Sequence, residues 1–256
     1  MSIIEKYSLE NKVIVVTGGT GILGNAFIDA IVEAGGTVGI LGRKKEVAEE
    51  RANTINAKGG KAIALVADVL NEAQLQVCKQ QVLNAFGKID GLVNNAYPRT
   101  NDWGVKFEDI PLTSWKENID WQLNSYFYMT QQVAAYMKGN KKGSIVNIGS
   151  IVGNIGFNEL VGYGSAKAAL IGFTKSLAFE LAPKGIIINM VTPSLVSTEL
   201  TADITEKFKM LTASQTPLRR LAKASDVAGA ISFLASEKAN FLAGENIRIN
   251  GGQIML

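Results

Sequence analysis

The most constraining feature of the sequence is a regular alternation of short β-branched runs with longer amphipathic segments, which continues almost to its end. The predicted strands cover residues 12–17, 37–42, 61–67, 89–94, 143–149, 185–191 and 246–250. Between them, helices are predicted near 23–35, 44–57, 71–87, 114–138, 163–182 and 224–236. Most of the strand-like runs are apolar on both faces, which is typical of parallel strands covered by helices on each side. The alternation therefore predicts an α/β fold with a doubly wound parallel sheet of seven strands.

The composition favours one globular unit. With 256 residues, 47% of them hydrophobic and 19% charged, the chain is long enough to bury a substantial core and too apolar for disorder. The sequence has no low-complexity segment, repeat or Pro/Gly/Ser-rich linker, so we expect residues 1–256 to form a single domain. Two longer stretches without a clear period, 97–113 and 192–216, are predicted to be loops over a site.

The length of the apolar runs, the net charge and the lack of histidine exclude several classes of function. The apolar runs fall far short of the ~20 residues that span a bilayer. The N-terminal segment, with Glu5 and Glu10, lacks the apolar core of a signal peptide, so a cytoplasmic protein is expected. A net charge of +3 is too small to predict nucleic-acid binding. The chain has no histidine and one cysteine, Cys78, which argues against a catalytic zinc site; no metal is predicted, and proton transfer is left to Tyr, Lys or a carboxylate.

A glycine-rich turn, 17-TGGTGILG-24, joins the first predicted strand to the first predicted helix. Glycines at such a turn let the backbone approach a pyrophosphate closely, and the helix N-terminus offers unpaired N–H groups and a partial positive charge. In this context the pattern predicts a dinucleotide site in a Rossmann-type sheet, with the cofactor half of the domain at about 1–150. The predicted contacts are Gly18, Thr20, Gly21, Ile22, Leu23 and Gly24. The alternative is a tight β–α turn that binds nothing.

The residues after the second strand bear on which dinucleotide binds. A carboxylate there would hydrogen-bond the adenosine ribose 2′-hydroxyl and favour NAD. The chain instead has Gly42, followed by Arg43 and Lys44. The loss of the acid, together with a planar and permanently charged donor, suits a 2′-phosphate, so we predict that NADP(H) is favoured and NAD(H) possible. The alternative, a solvated helix start, is weakened because cations are unfavourable at that end of a helix.

The segment 163-YGSAK-167, with Ser150 thirteen residues before Tyr163, resembles the signature of the short-chain dehydrogenase/reductase family. The likeness extends over essentially the whole chain, and its other matches are the glycine turn, Asp68-Val69, 94-NNA-96, Pro193 and 244-GENIRINGG-252. Most of these matches come at the C-terminal ends of predicted strands, the edge at which open α/β sheets bind ligands. The resemblance implies an NAD(P)-dependent oxidoreductase that interconverts a ketone and a secondary alcohol.

The chemistry of Ser150, Tyr163 and Lys167 can be argued from the residues themselves. Tyrosine has a reference pKa of ~10 and needs help to exchange protons near neutrality. Tyr163 and Lys167 lie four residues apart on a predicted helix and share a face, so the ammonium group would stabilise a phenolate. Ser150 would donate a hydrogen bond to the substrate oxygen. The alternative is that Tyr163 is a core aromatic and Lys167 a surface charge.

The resemblance also implies cofactor contacts at matching positions, and a quaternary structure. Asp68 and Val69 would lie near the adenine and Asn94 near its ribose, and Asn95 and Ala96 are further expected cofactor contacts. Those near the nicotinamide would be Tyr163, Lys167, Pro193, Val196 and Thr198. Because the family usually forms oligomers, a homotetramer or homodimer is expected through the helices near 114–138 and 163–182 and the last strand.

Four positions depart from the family pattern, three of them by gaining or losing a glycine. The middle glycine of the turn is Gly21, whereas compact members of the family have it at the position of Ile22. Tyr97 and Ser194 each stand where a glycine is usual. Tyr97 therefore brings an aromatic side chain to the predicted boundary between cofactor and substrate.

The fourth departure concerns proton transfer. Gln122 stands where the family has a catalytic Asn that helps to hold a water of the proton relay. Gln carries the same donor and acceptor groups on a longer stem, so we expect Gln122 to serve and activity to be retained. The alternative is a catalytically weak NADP(H)-responsive binding protein.

Segments 97–113, 151–162 and 194–215 are expected to face the substrate. Their candidate contacts are Tyr97, Trp103, Asn154 and Asn158. This mixture favours a polar small molecule such as a keto-sugar, a sugar acid or a polyol, although Trp103 could also simply pin down a long loop. The alternative enzyme is a 3-oxoacyl-[acyl-carrier-protein] reductase, because 216-TPLRRLAKASDVAGAISFLAS-236 resembles those reductases. The lysines that could then face an acidic carrier protein are Lys141, Lys142 and Lys184.

Overall fold

The structure is a computed structural model that describes residues 7–198, 201–202 and 204–255. Part of the N-terminal segment that argued against a signal peptide, residues 1–6, lies outside the described residues. The same holds for residues 199, 200 and 203 of the predicted loop 192–216, and for residue 256.

The described part of the chain contains one sheet of seven strands. They are β1 (Val13–Thr17), β2 (Thr37–Gly42), β3 (Lys61–Val66), β4 (Gly91–Asn94), β5 (Gly143–Ile148), β6 (Ile186–Pro193) and β7 (Asn246–Ile249). Every neighbouring pair is parallel, in the order β3-β2-β1-β4-β5-β6-β7. The predicted seven-stranded parallel sheet is therefore confirmed. Its order changes direction between β1 and β4, the point at which sheets of this kind bind ligands.

Helices connect the strands. They are α1 (Ile22–Glu33), α2 (Lys45–Ala57), α3 (Glu72–Phe86), α4 (Leu112–Ile119), α5 (Ser125–Asn140), α6 (Val152–Ile155), α7 (Val161–Leu181), α8 (Glu206–Gln215) and α9 (Ala224–Ala235). A π-helical segment, Asp120–Asn124, joins α4 to α5. None of the helices in the described ranges is long and apolar enough to cross a membrane.

Side chains that alternate along the strands divide the core into two layers. In β1, Ile14 and Val16 pack in the layer that contains α1, α2 and α9. Val13 and Val15 face the opposite layer, with α3, α5 and α7. All residues of β1, β2 and β4 are buried, which is why their sequences are apolar on both faces. The two layers hold the C-terminal ends of these strands in fixed positions.

Two of the predicted segments differ from the structure. The helix predicted at 114–138 is divided by the π-helical segment into α4 and α5. The prediction of an irregular loop over 192–216 is wrong for its second half, which contains α8. The N–H of Phe208 donates to the N-cap side chain of Thr205 at 3.3 Å. Because α8 buries only Thr212, its sequence carries no apolar helical period.

Candidate active site

A cavity of about 970 Å³ opens at the C-terminal edge of the sheet, beside the change in strand order. Its wall combines the glycine turn with segments that follow β2, β3, β4, β5 and β6 and with the first turns of α7. The predicted site residues on this wall are Gly18, Thr20, Gly21, Ile22, Leu23, Gly24, Arg43, Lys44, Val69, Asn95, Ala96, Tyr97, Trp103, Ser150, Asn158, Tyr163, Lys167, Pro193, Val196 and Thr198. The fold thus brings most of the predicted residues together.

The glycine turn has the backbone shape that a pyrophosphate site needs. Gly18 has φ +63°, and a Cβ there would lie 2.9 Å from Cα of Ala96. A Cβ on Gly24 would overlap the carbonyl oxygen of Gly18, so the turn can fold this tightly only with glycine at that position. Gly21 caps α1 without a side-chain hydrogen bond, and the first turn of α1 has no acidic residue. The N–H groups at this helix start can therefore bind an anion.

The end of β2 forms a cationic rim of the cavity. A Cβ on Gly42 would lie 2.9 Å from Oγ1 of Thr20, so Thr20 occupies the space that a longer side chain would need. Arg43 and Lys44 follow, both exposed and both on the cavity wall. The Arg43 guanidinium lies 5.3 Å from the ring centroid of Trp121, within cation–π range. This rim can hold an anionic group such as a ribose 2′-phosphate.

Lys167 lies one helical turn after Tyr163 on α7 and is 3% exposed. Its Nζ donates to the carbonyl oxygen of Ile148 at 2.9 Å. Three tyrosine rings surround the ammonium group, with centroids 5.3 Å (Tyr126), 5.7 Å (Tyr97) and 5.8 Å (Tyr163) from Nζ. The lysine is therefore held between the end of β5 and the phenol of Tyr163, and it is not the surface charge of the alternative interpretation.

Burial shifts the pKa values of both groups. Desolvation lowers the pKa of Lys167 to about 7. It raises the pKa of Tyr163 above its ordinary value, and a hydrogen bond from the Ser150 hydroxyl acts in the opposite direction. At neutral pH the phenol therefore keeps its proton while the lysine is near the midpoint of its titration. Tyr163, with Ser150 and Lys167 beside it, can thus donate a proton to an oxygen atom bound in the cavity and take up another proton afterwards.

Two aromatic side chains, Tyr97 and Trp103, pack against Tyr163 at the cavity wall and are called the aromatic pair below. The centroid of Tyr163 lies 5.4 Å from that of Tyr97 and 5.0 Å from that of Trp103. Trp103 Nε1 donates to the Tyr97 hydroxyl at 3.0 Å, and the Arg99 guanidinium lies 5.1 Å from the Trp103 centroid. The wall beside the proton donor is thus aromatic and carries one cation.

Asn94 differs from its expected position near the adenine ribose. It is 1% exposed, and its Nδ2 donates to Thr130 Oγ1 and Asn147 Oδ1, each at 2.9 Å. The alternation of side chains along β4 turns Asn94 into the core and leaves Asn95 to face the glycine turn, where its Nδ2 donates to the carbonyl oxygen of Thr17 at 3.0 Å. Asn94 supports the cavity floor instead of lining it.

Three more predicted residues are also absent from the cavity wall. Asp68 caps its own loop, where Oδ1 accepts from the N–H of Leu70 at 2.9 Å, and its neighbour Val69 lines the cavity instead. Asn154 belongs to α6, and its Oδ1 is buried away from the cavity wall. Gln122 is 0% exposed within the π-helical segment and lies behind the wall.

Sequence reasoning missed several residues of the site. Trp121 and Gln253 line the cavity, and the ring of Tyr126 lies against the ammonium group of Lys167. Tyr126 could have been found, because it lies four residues after Gln122 and so shares its helical face. Phe157 and Phe208, with centroids 6.1 Å apart, give the cavity an apolar side. Phe208 was missed because α8 was not predicted.

Comparison with known proteins gives matches over nearly the whole chain. A family model described as enoyl-(acyl carrier protein) reductase matches residues 20–253. The 3-oxoacyl-[acyl-carrier-protein] reductase of Aquifex aeolicus is 40% identical over 248 residues, which cover 95% of this chain and 98% of that protein. The reductase of the same name from Escherichia coli is 31% identical over 249 residues, or 97% of this chain and 100% of that protein.

Two solved structures have the same fold along their full length. The gluconate 5-dehydrogenase from Burkholderia cenocepacia in complex with NADP and tartrate superposes with a TM-score of 0.93 at 25% identity, and 98% of each chain is covered. A 7α-hydroxysteroid dehydrogenase complexed with NADH and 7-oxo glycochenodeoxycholic acid gives a TM-score of 0.92 at 28% identity, again with 98% of each chain covered. The similarity in fold therefore extends over nearly the whole chain.

Proposed function

The chain belongs to the short-chain dehydrogenase/reductase family, an NAD(P)-dependent oxidoreductase family, and we propose that it reduces a ketone on a polar substrate with NADP(H) as the favoured cofactor. The observation that carries this proposal is the single cavity wall shared by Ser150, Tyr163, Lys167 and the glycine turn. The polar substrate is a keto-sugar, a sugar acid or a polyol in its oxidised form.

The residues present fit a bound NADP(H). The close approach of Gly18 and Gly24 leaves the N–H groups of α1 open to the pyrophosphate, and Arg43 and Lys44 would hold the 2′-phosphate. Pro193, Val196 and Thr198 on the cavity wall would hold the nicotinamide amide, and Lys167 its ribose. The chemistry that bound NADP(H) would supply is hydride transfer to the carbonyl carbon.

Three side chains would supply the proton. Ser150 donates a hydrogen bond to the substrate carbonyl oxygen and stabilises the negative charge that develops there. Tyr163 gives its proton to the same oxygen, and because burial raises its pKa it holds that proton at neutral pH. The ammonium of Lys167 stabilises the phenolate that is left, since the two groups share one face of α7.

The polar substrate class is supported by the wall next to Tyr163. The aromatic pair offers ring faces, and Arg99, Asn158 and Glu159 add charged and hydrogen-bonding groups on the same wall. Sugar rings and carboxylates are recognised by such combinations. The proposed substrate class also agrees with the name of a protein of similar structure, the gluconate 5-dehydrogenase.

A 3-oxoacyl-[acyl-carrier-protein] reductase is the second candidate, favoured by the names of the curated relatives and by the apolar side of the cavity at Phe157 and Phe208. Its expected carrier contacts do not suit the geometry. Lys141 and Lys142 precede β5, and Lys184 precedes β6, so these lysines lie at the N-terminal edge of the sheet, opposite the cavity. A carrier bound there could not deliver an acyl chain to Tyr163.

The test is a panel of keto-sugars, keto-sugar acids, 3-oxoacyl thioesters and small ketones, each followed by NADPH oxidation and then by NADH oxidation. We expect the highest kcat/KM on a sugar-derived ketone with NADPH. A preference for carrier-linked 3-oxoacyl thioesters would select the second candidate. Cofactor binding, seen as a rise in melting temperature, without turnover of any ketone would select the binding protein.

A further inference from the structure

The segment just before α7 has a backbone conformation that is rare for its residue type. Glu159 has φ +57°, in the left-handed region that favours glycine. The described ranges contain three more non-glycine residues of this kind, Asn11, Lys141 and Arg219, and none of them lies on the cavity wall, whereas Glu159 does. Residues held in costly conformations cluster at ligand sites, so the position of Glu159 points to a role in binding.

The fold holds Glu159 beside the catalytic tyrosine. Its carbonyl oxygen accepts from the N–H of Gly104 at 3.0 Å, which joins it to the loop of the aromatic pair. Trp103, the neighbour of Gly104 in the chain, packs against Tyr163 with the ring centroids 5.0 Å apart. Glu159 also precedes Tyr163 by only four residues. A substrate that binds with its carbonyl oxygen at Tyr163 therefore passes close to Glu159 on the same wall.

The loop of the aromatic pair is itself fixed by a buried carboxylate, Asp102, which is 2% exposed. Asp102 accepts from Thr100 Oγ1 at 2.6 Å and from Asn118 Nδ2 at 2.7 Å. A Cβ on Gly162 would lie 2.7 Å from Asp102 Oδ2, so this carboxylate also lies at the first turn of α7, where a negative charge is favourable. Asp102 thus supplies the charge that this helix start favours, and Glu159 is not needed for that purpose.

No protein group in the described ranges pairs with the Glu159 carboxylate. The residue is half-buried, yet its side chain forms no hydrogen bond or ion pair with any residue that the structure describes. A glycine would avoid the strained backbone, and an uncharged residue would avoid partial desolvation of a charge. The protein without its substrate thus gains no contact from a glutamate here, and the two carboxylate oxygens are left for a ligand.

We propose that Glu159 is a substrate-binding residue that determines specificity, and that its carboxylate accepts hydrogen bonds from two adjacent hydroxyl groups of the substrate. This role rests on the proposed function and narrows its substrate class to ketones that carry a vicinal diol. An ionised carboxylate only accepts, so its two oxygens match two O–H donors and form short, charge-assisted hydrogen bonds. An aliphatic chain in the same place would leave the charge without a partner, so the site discriminates against it.

Two open-chain ketones test this role. L-Erythrulose carries a diol at C3 and C4, and 1-hydroxy-2-butanone differs from it only by lacking these two hydroxyl groups. With NADPH, we expect the wild type to have a kcat/KM at least about 10-fold higher on L-erythrulose, the usual effect of hydrogen bonds to a charged group. Glu159→Gly should lower kcat/KM on L-erythrulose about 10- to 100-fold. It should change kcat/KM on 1-hydroxy-2-butanone and the KM for NADPH by less than about 3-fold, because neither involves the diol.

The melting temperature shows whether the variant is folded. Because glycine fits the left-handed conformation, Glu159→Gly should melt at or above the temperature of the wild type. Asn11→Gly is the matched control: Asn11 has φ +59°, is exposed and lies before β1, at the edge of the sheet opposite the cavity. It makes the same backbone change away from the cavity, so its kcat/KM on both ketones should be that of the wild type.

Glu159→Gln is the second variant, which keeps the length of the side chain and replaces one acceptor oxygen by a donor. It should lower kcat/KM on L-erythrulose at least about 5-fold and leave 1-hydroxy-2-butanone nearly unaffected, which a purely structural role of residue 159 does not predict. A folded variant at this position with the wild-type ratio of kcat/KM between the two ketones overturns the proposal, and so does a wild type that does not prefer L-erythrulose. Turnover of other ketones of the panel would then leave the proposed function standing, whereas turnover of none contradicts the proposed function itself.

Discussion

At the scale of single residues, burial governs the two groups that move the proton. Lys167 Nζ has a backbone carbonyl and three aromatic rings around it, which favour its charged form, yet desolvation dominates and lowers its pKa to about 7. Tyr163 is shifted in the opposite sense for the same reason, since its charged form is the phenolate. At neutral pH the phenol of Tyr163 is therefore protonated, which is the form that reduction of a carbonyl requires.

The lowered pKa of Lys167 makes stability depend on pH. Its pKa is about 7 in the folded protein and has the ordinary value of 10.5 when unfolded, so between these values the unfolded chain binds more protons and stability rises with pH. Below about pH 7 the full penalty of a buried charge is present. Lys167→Met removes it, so its melting temperature should exceed that of the wild type by more at about pH 6 than at about pH 9. An equal difference at both pH values would contradict the shift.

Arg43 carries the predicted preference between the two cofactors. Arg43→Ala should raise the KM for NADPH about 10- to 100-fold, the usual loss for a hydrogen bond to a charged group, and should change the KM for NADH little. Lys45→Ala is the matched control. Lys45 is a cation two residues after Arg43, and it is not on the cavity wall. If NADPH and NADH respond equally to Arg43→Ala, the guanidinium does not contact a 2′-phosphate.

At the scale of elements, the tight turn between β1 and α1 leaves no room for a side chain at Gly24. Gly24→Ala forces a methyl group onto the Gly18 carbonyl, whereas a Cβ on Gly21 meets nothing closer than 3.6 Å. Overpacking of this kind costs about 1–3 kcal/mol, so Gly24→Ala should lower the melting temperature of the cofactor-free protein by several degrees. Gly21→Ala should lower it far less. Equal melting temperatures would show that the turn can relax.

The elements that the sequence predicts best are those with a strong period. The fully buried strands and helices such as α1 and α7 are in place because apolar runs and glycine stops mark them. The π-helical segment was not predictable, since a single widened turn leaves the apolar pattern almost unchanged. α8 was missed for a different reason: it is short, polar and packed over the cavity by few side chains.

At the scale of the whole molecule, two large apolar side chains, one on α7 and one in the turn before β7, are exposed. Phe179 on α7 is 90% exposed, and Phe241 in the turn before β7 is fully exposed. A Cβ on Gly244 would lie 3.4 Å from that of Ala178, so this turn packs on α7 beside Phe179. Large exposed apolar groups of this kind mark interaction surfaces. The surface lies on α7 and next to the last strand, two of the elements through which oligomerisation was predicted.

The oligomeric state can be tested at this surface. We expect the wild type to be a homotetramer or homodimer by light scattering coupled to size exclusion, and Phe179→Asp with Phe241→Asp to yield a smaller species because charges would be buried in the interface. Phe107→Asp, on another surface and 73% exposed, is the control and should leave the assembly intact. A monomeric wild type would contradict the prediction.

The sequence predicts the site residues whose position follows from the order of the strands, and it does not predict those whose position depends on tertiary packing. Ser150, Tyr163, Lys167 and the glycine turn were predictable, because strand ends in a parallel sheet meet at one edge. The hydrogen bonds from Asn118 to Asp102 were not, since they join a loop to a helix whose relative position only the folded chain fixes. The alternation of side chains along β4 was sufficient to predict that Asn94 faces the core. The family resemblance instead placed it near the adenine ribose.

If Tyr163 donates the proton for carbonyl reduction in this cavity, Tyr163→Phe should remove that step. The wild type and this variant should be compared for NADPH oxidation on the best ketone of the panel, with NADPH binding measured in parallel. We expect kcat to fall at least about 100-fold while the affinity for NADPH stays within a few-fold of the wild type. Undiminished turnover in Tyr163→Phe would contradict it.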